Sequence, residues 1–234
     1  MLSIVITTLN EEEYLPGLLN SIKEQNFNDL EIIVSDAGSK DKTAEIAKKY
    51  GCKVVKGGLP SVGKNNGAKK AKGNIIVFMD ADMKLNRNEL KTALKEFRVR
   101  ELDVAIVQYR SLEKNFWGNV AVHLLYNIPV IILENILPHG VGFMLVKKEI
   151  FEKFGGFDEQ LFWAEDHDFV RRVVKNGKYG VLRNVKPFCS LRRFEKGGWI
   201  KVSAQYLFYE IYVLIFGFDK KIRINYDLDF YKKH

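Results

Sequence analysis

Two aspartates one residue apart, Asp80 and Asp82, are the side chains best placed to do chemistry, with only the small Ala81 between them. They end Ile75–Met79, a short unbroken apolar run with β-branched residues, preceded by Gly73. Such a run reads as a strand buried on both faces. A charge at the end of a buried strand needs a partner. Carboxylates with this spacing, at the carboxyl edge of a sheet, suit a divalent cation and, through it, a diphosphate. The plainer reading makes Asp80 the cap of a following helix and Asp82 an exposed acid.

Two further strand ends carry polar groups. Leu2–Thr7 is an apolar strand that runs into Thr8-Leu9-Asn10-Glu11, and Tyr14–Gln25 carries apolar residues at helical spacing behind an Asn10 start. Leu30–Ser35 reads as a second buried strand ending in Asp36-Ala37-Gly38-Ser39-Lys40-Asp41-Lys42-Thr43, with a helix to about Tyr50. Lys53–Lys56 is a third strand, Gly57–Gly63 a loop, and Lys64–Lys72 a basic helix. Strand–helix alternation of this kind predicts an α/β fold with a mostly parallel central sheet flanked by helices. Ligands in such sheets bind at the carboxyl ends of strands. Capping by Asn10, Ser39 or Asp41 explains any one cluster, and explains all of them together less well. No glycine-rich phosphate fingerprint follows the first strand, so phosphates must be held another way, and a metal on Asp80 and Asp82 with nearby lysines or arginines would do it.

The second half holds the rest of the candidate chemistry. Asn86–Arg98 reads as an amphipathic helix and Leu102–Gln108 as a strand. After Pro138–Lys148, a turn entering a strand, come a short helix and the tight turn Gly155-Gly156-Phe157-Asp158-Glu159. Glu165-Asp166-His167-Asp168 then opens a helix whose first turn favours anions. Helical spacing separates these four, so they cannot all face one site. A reaction in which a hydroxyl attacks needs a base to take its proton, and an aspartate on this turn, adjusted by burial beside Glu165, suits that task. Asp168 is expected to support the helix. His139 and His167 are candidates for a third metal ligand, against the ordinary reading of a surface or core histidine. The pair Arg192-Arg193 suits bidentate phosphate contacts, with Gly197-Gly198 as a hinge.

Thr7-Thr8-Leu9-Asn10-Glu11, Asp36 to Thr43, Lys64-Asn65-Asn66-Gly67 and Asp80-Ala81-Asp82 resemble, in order and spacing, family 2 glycosyltransferases. Gly-Gly-Phe-Asp followed by Glu-Asp extends the resemblance over roughly the first 190 residues. The resemblance implies a GT-A fold, a Rossmann-like nucleotide half plus an acceptor half, and inverting transfer from a nucleotide-diphospho-sugar with Mn2+ or Mg2+. It implies that Thr7, Thr8, Asn10 and Glu11 line the nucleoside pocket and that Asp36, with Ser39 beside it, faces base or ribose. Lys64 and Asn65 are expected near the phosphates, Asp80 and Ala81 at ribose or metal, Asp82 as principal metal ligand, Asp166 as base, and Arg192 and Arg193 over the donor. Leu9 replaces a common aromatic and Ala37 a common second aspartate, which leaves UDP only the default base.

Composition sets the outer bounds. A chain of 234 residues with 47% hydrophobic content fits an ordinary globular domain. We expect a nucleotide-sugar half over 1–110, an acceptor half over 111–198, and an amphipathic, aromatic-rich helical extension over 199–234. The net charge of +8 fits phosphorylated substrates or an anionic membrane surface. Nucleic acid is excluded as partner, because acids fill the cleft and no basic-aromatic module appears. The two cysteines, Cys52 and Cys189, exclude a disulfide framework and a zinc ribbon. The start of the chain carries no basic leader, so a cytoplasmic location is expected, at the inner face of the cell membrane if the extension rests there. Asn115–Leu133 is a poor membrane span because of Asn119, His123, Asn127 and Pro129, and reads as a core, subunit-contact or interfacial helix. Trp199–Phe218, with Lys220, Lys221 and Arg223 beyond it, fits a helix in the headgroup region, and Glu210 argues against a span. A lipid-linked acceptor then becomes attractive. The rivals are a sugar nucleotidyltransferase, opposed by the acidic loop after the first strand, and a non-catalytic donor-binding or membrane-associated scaffold.

Overall fold

The computed structural model describes residues 1–113 and 116–218. Its first third alternates strand and helix: β1 (Leu2–Thr8), α1 (Leu15–Lys23), β2 (Leu30–Asp36), α2 (Thr43–Lys49), β3 (Lys53–Lys56), α3 (Pro60–Lys70) and β4 (Ile75–Asp80). These four strands pair in parallel in the order β3-β2-β1-β4. Helices cover both faces, so neighbours in one strand feed different cores: Ile4 and Ile6 pack on one side, Val5 on the other. Helix α1 buries Leu15, Leu18, Leu19 and Ile22, the spacing of one helical face. Helix α3 approaches the sheet through Gly67, where a Cβ would collide with Val5 Cγ1.

The chain continues through β5 (Met83–Lys84), α4 (Glu89–Val99), β6 (Val104–Val107), β7 (Arg110–Ser111), α5 (Phe116–Val122), a π-helical turn at His123–Asn127, and α6 (Ile128–Ile132). It ends in β8 (Met144–Lys147), α7 (Lys148–Lys153), α8 (Glu165–Val173), β9 (Tyr179–Leu182), β10 (Phe188–Cys189), α9 (Arg192–Gly197) and α10 (Trp199–Phe216). The main sheet is β3-β2-β1-β4-β8-β6-β9, with β8 antiparallel to both of its neighbours, and a small sheet runs β5-β10-β7. The expected α/β fold with a mostly parallel central sheet is therefore present.

Several boundaries differ from the sequence reading. Helix α3 begins at Pro60, inside the stretch expected to be loop, because proline at the first helical position loses no hydrogen bond. Helix α4 begins at Glu89 rather than Asn86, whose backbone N–H and side-chain amide both donate to the Glu89 carboxylate. The stretch expected as one helix over 115–133 is interrupted by the π turn. Two of its asparagines turn inward: Asn119 Oδ1 accepts from the Ser111 N–H, and Asn127 bonds both backbone groups of Tyr109. Both cysteines are free thiols. Among the described residues no helix is long and apolar enough to cross a membrane. Lys220, Lys221 and Arg223 lie outside the described residues.

Candidate active site

Parallel register assembles the site. Thr8 pairs with Asp36 across β1–β2, and Thr7 pairs with Asp80 across β1–β4, so three strand ends bring their polar groups to one edge. Asp36 is tied down there: its Oδ1 accepts from Thr8 Oγ1 at 3.1 Å and Ser39 Oγ at 2.5 Å, and its Oδ2 accepts from the Ser39 N–H at 3.0 Å. Asn10, expected as a helix cap, does not cap α1, which starts at Leu15. It adopts a left-handed backbone (φ 55°), donates its N–H to Ser39 Oγ at 2.9 Å, and accepts from the Lys40 N–H at 2.8 Å. The loops after β1 and β2 are thus laced together, and the Glu11 N–H bond to Thr43 Oγ1 at 2.8 Å adds a further tie. Thr7 lies half-buried against Gly63.

No helix follows Asp80, which removes the capping alternative for it. Ala81 is buried, and the chain passes into β5, whose partner is β10. The Ser190 N–H donates to the Asp82 carbonyl at 3.1 Å, and this pairing delivers Arg192 from far downstream. Arg192 Nε lies 3.1 Å from Asp82 Oδ2, its Nη2 2.5 Å from Glu11 Oε1, and its guanidinium 4.5 Å from the centre of the Tyr14 ring. Residues 192–197 form a short helix. Arg193 donates to the Tyr206 hydroxyl on α10 at 2.7 Å, and its charge still acts on Asp82.

Burial and the charge of Asp80 push the Asp82 carboxyl up to about 7, against the pull of Arg192. Burial raises Glu11 as well, and Glu11 Oε2 is buried without a hydrogen-bond partner. Glu11, Asp80 and Asp82 therefore crowd three carboxylates around one contacting guanidinium. An excess of oxygen donors and negative charge fits a hard divalent cation at Asp82 and Asp80.

Asp166 enters the same neighbourhood from the first turn of α8. The segment before β8 runs between the two acids: a Cβ on Gly142 would collide with Asp80 Oδ2, and one on Gly140 with the Asp166 backbone. Beneath them lies Lys64 of α3, 4% exposed, with Nζ 2.8 Å from Glu165 Oε1 and 2.6 Å from Asp166 Oδ1. Burial drives Asp166 well above the usual carboxylate range, with Lys64 opposing and Glu165 reinforcing the shift. Despite its own burial, Glu165 is held low by Lys64. Asp168 faces away and accepts from Arg172 Nε at 2.8 Å, the helix-supporting role expected for it. Asn65, expected near the phosphates, sends its amide to the Phe157 carbonyl and Glu159 Oε1, both at 2.9 Å. It braces the turn through Gly155 and Gly156, whose φ values of 73° and 67° require glycine.

His139 and His167 meet each other, with ring centroids 5.1 Å apart, and both face Glu210 on α10. Sequence reasoning had used Glu210 only as an argument against a membrane span and missed this cluster. It also missed Gly140 and Gly142, although two glycines beside a histidine and ahead of a strand are a legible sign of close backbone approach.

A twisted α/β sheet with acids at its carboxyl edge and a helix N-terminus opposite them defines a GT-A-type glycosyltransferase. The chain belongs to glycosyl transferase family 2, whose family model matches residues 3–155. It is 37% identical over 120 residues to a 4,4'-diaponeurosporenoate glycosyltransferase of Staphylococcus haemolyticus, covering 47% of this chain and 30% of that one. It is 34% identical over 104 residues to a GalNAc(5)-diNAcBac-PP-undecaprenol beta-1,3-glucosyltransferase of Campylobacter jejuni, covering 41% and 34%. Among solved structures, the mannosyltransferase PcManGT of Pyrobaculum calidifontis, in complex with GDP-Man and Mn2+, superposes with a TM-score of 0.67 at 20% identity, covering 81% of this chain and 56% of that one. The chain thus spans about a third of the length of the two curated relatives.

Proposed function

We propose that this protein transfers a sugar from a nucleotide diphosphate donor, with inversion and with a divalent cation, to an acceptor hydroxyl or lipid phosphate. The observation that carries the reading is the convergence of Glu11, Asp36, Asp80 and Asp82 at one sheet edge with Asp166 across the Gly140–Gly142 segment. Asp36, with Thr7, Thr8, Asn10 and Ser39 around it, would receive the nucleoside. Asp82 and Asp80 would hold Mn2+ or Mg2+, which when bound offsets charge on the departing diphosphate. Lys64, Arg192 and Arg193 supply the positive charge of the donor side. Lys64 binds Asp166 at Oδ1, so Oδ2 is the oxygen that accepts the acceptor's proton. The acceptor oxygen then bonds the anomeric carbon from the face opposite the diphosphate, which leaves with the electron pair of the broken bond. A carboxyl raised by burial is matched to this work near neutral pH.

The division at about residue 110 into donor and acceptor halves, with an extension from 199, belongs to the same reading. So does a membrane-apposed acceptor, supported by the apolar outer face of α10 and by the undecaprenol-linked substrate in the name of the Campylobacter relative.

Calorimetric titration with UDP, GDP and CDP, with and without Mn2+, tests the proposal. One nucleotide should bind, only with metal, and binding should vanish in Asp82→Ala. Asp166→Ala should keep donor binding and lose transfer by at least about a hundredfold. Absence of any nucleotide binding with metal present sinks the donor site, and full activity in Asp166→Ala sinks the base.

A further inference from the structure

The cluster of His139, His167 and Glu210 lies outside the donor site and joins three elements: the segment ahead of β8, helix α8 and helix α10. One ligand atom from each lies within 4.8 Å of the others. The hydrogen bonds around the cluster leave an imidazole nitrogen without a proton aimed into it. His139 Nδ1 sits 2.5 Å from the Leu137 carbonyl, which accepts only if Nδ1 carries the proton. Nε2 then presents a lone pair, 3.8 Å from Glu210 Oε2, and a lone pair facing a carboxylate repels it. His167 Nε2 lies 3.1 Å from Glu210 Oε1, while its Nδ1 is buried without a hydrogen-bond partner. Arg171 Nη2 binds Glu210 Oε2 at 2.8 Å and so leaves Oε1 toward the His167 imidazole.

We propose that His139, His167 and Glu210 form a second cation site, selective for a borderline divalent metal such as Zn2+, that clamps α10 onto the helix carrying Asp166. Two imidazoles and one carboxylate are a zinc-type donor set, unlike the all-oxygen set at Asp80 and Asp82. The Leu137 carbonyl and Arg171 orient the ligands from behind, as the outer partners of metal-bound histidines and carboxylates do. Zinc bonds of ~2.0–2.1 Å would draw the three groups together by roughly 1 Å. Arg171 lowers the affinity by its charge and is compensated by the carboxylate that it holds. Three protein ligands leave a fourth position for water.

The test uses the full chain freed of metal by chelation. Equilibrium dialysis against Zn2+ should find one tightly held ion per chain, and Co2+ in its place should give the intense visible bands of a four-coordinate complex. His139→Gln and Glu210→Gln should each weaken Zn2+ binding by at least about tenfold. Asp82→Ala, which removes the proposed donor-site ligand, should leave Zn2+ binding unchanged, so the two sites fail independently. Zn2+ binding that survives both Gln variants overturns the assignment, as does its loss in Asp82→Ala. If either Gln variant fails to fold, the Co2+ spectrum of the unaltered chain decides: only the weak bands of a six-coordinate ion would overturn the site.

Discussion

At the scale of single residues, Lys64 stands out as a charge only 4% exposed. It neutralises two buried carboxylates at once, and among the described residues no second lysine or arginine pairs with Glu165 or Asp166. Removing one member of a buried ion network strands the others, at a cost of ~3–5 kcal/mol. Lys64→Met should therefore lower the free energy of unfolding by about that amount in urea titrations at neutral pH. Asp166→Asn leaves the Lys64–Glu165 pair in place and should cost much less, while the proposed transfer should be lost. A comparison of the two by denaturation and by activity separates what holds the site together from what reacts in it.

At the scale of elements, the decisive piece is the short segment through Gly140 and Gly142 that lies between Asp80 and Asp166. A side chain at Gly142 has no room, because Asp80 Oδ2 already occupies the space a Cβ would take. Overpacking of this kind typically costs ~1–3 kcal/mol and shifts the neighbours. Gly142→Ala should fold, melt at a lower temperature, and lose metal-dependent nucleotide binding as Asp80 is displaced. Undiminished binding would show that Asp80 tolerates movement. The same logic runs through α3, where Gly67 lets the helix come down on β1 and so sets the depth of Lys64.

At the scale of the whole molecule, α10 is unusual. Its inner face packs through Val202, Tyr209 and Val213, with Trp163 edge-on to Tyr209 at 3.9 Å. Its outer face shows Ile200, Leu207, Ile211, Leu214 and Ile215 to solvent, Ile200 at 88% exposure. A row of exposed aliphatics of this length marks an interaction surface. Lys196 and Lys201 flank its start, as basic residues flank interfacial helices. Sedimentation with phosphatidylglycerol vesicles should recover the protein, and the double variant Leu207→Glu, Ile211→Glu should reduce recovery at least tenfold. Each aliphatic side chain withdrawn from water contributes ~1.5–3 kcal/mol, which sets that scale. Donor binding should be unchanged in the variant, since Leu207 and Ile211 are exposed to solvent and are not among the residues assigned to the donor.

The sequence by itself determined six strands of the main sheet, β1 to β4, β6 and β8, their order of appearance, and the acids at the carboxyl ends of β1, β2 and β4. Apolar runs such as Ile75–Met79 and their polar terminators are local features, and parallel pairing makes equivalent ends coincide. The family resemblance carried by Asp80-Ala81-Asp82 and its companions was legible for the same reason. Three things were not. Asn10 reads as a cap from its type, and only the neighbouring loop shows that it laces Ser39 and Lys40 instead. Arg192 reaches Asp82 and Glu11 only because β10 pairs with β5, a long-range register that no local pattern encodes. Lys64 with Glu165, and Glu210 with two histidines, are pairs of residues far apart in the chain. Burial gives such charges their energetic weight, and burial exists only once the layers have packed.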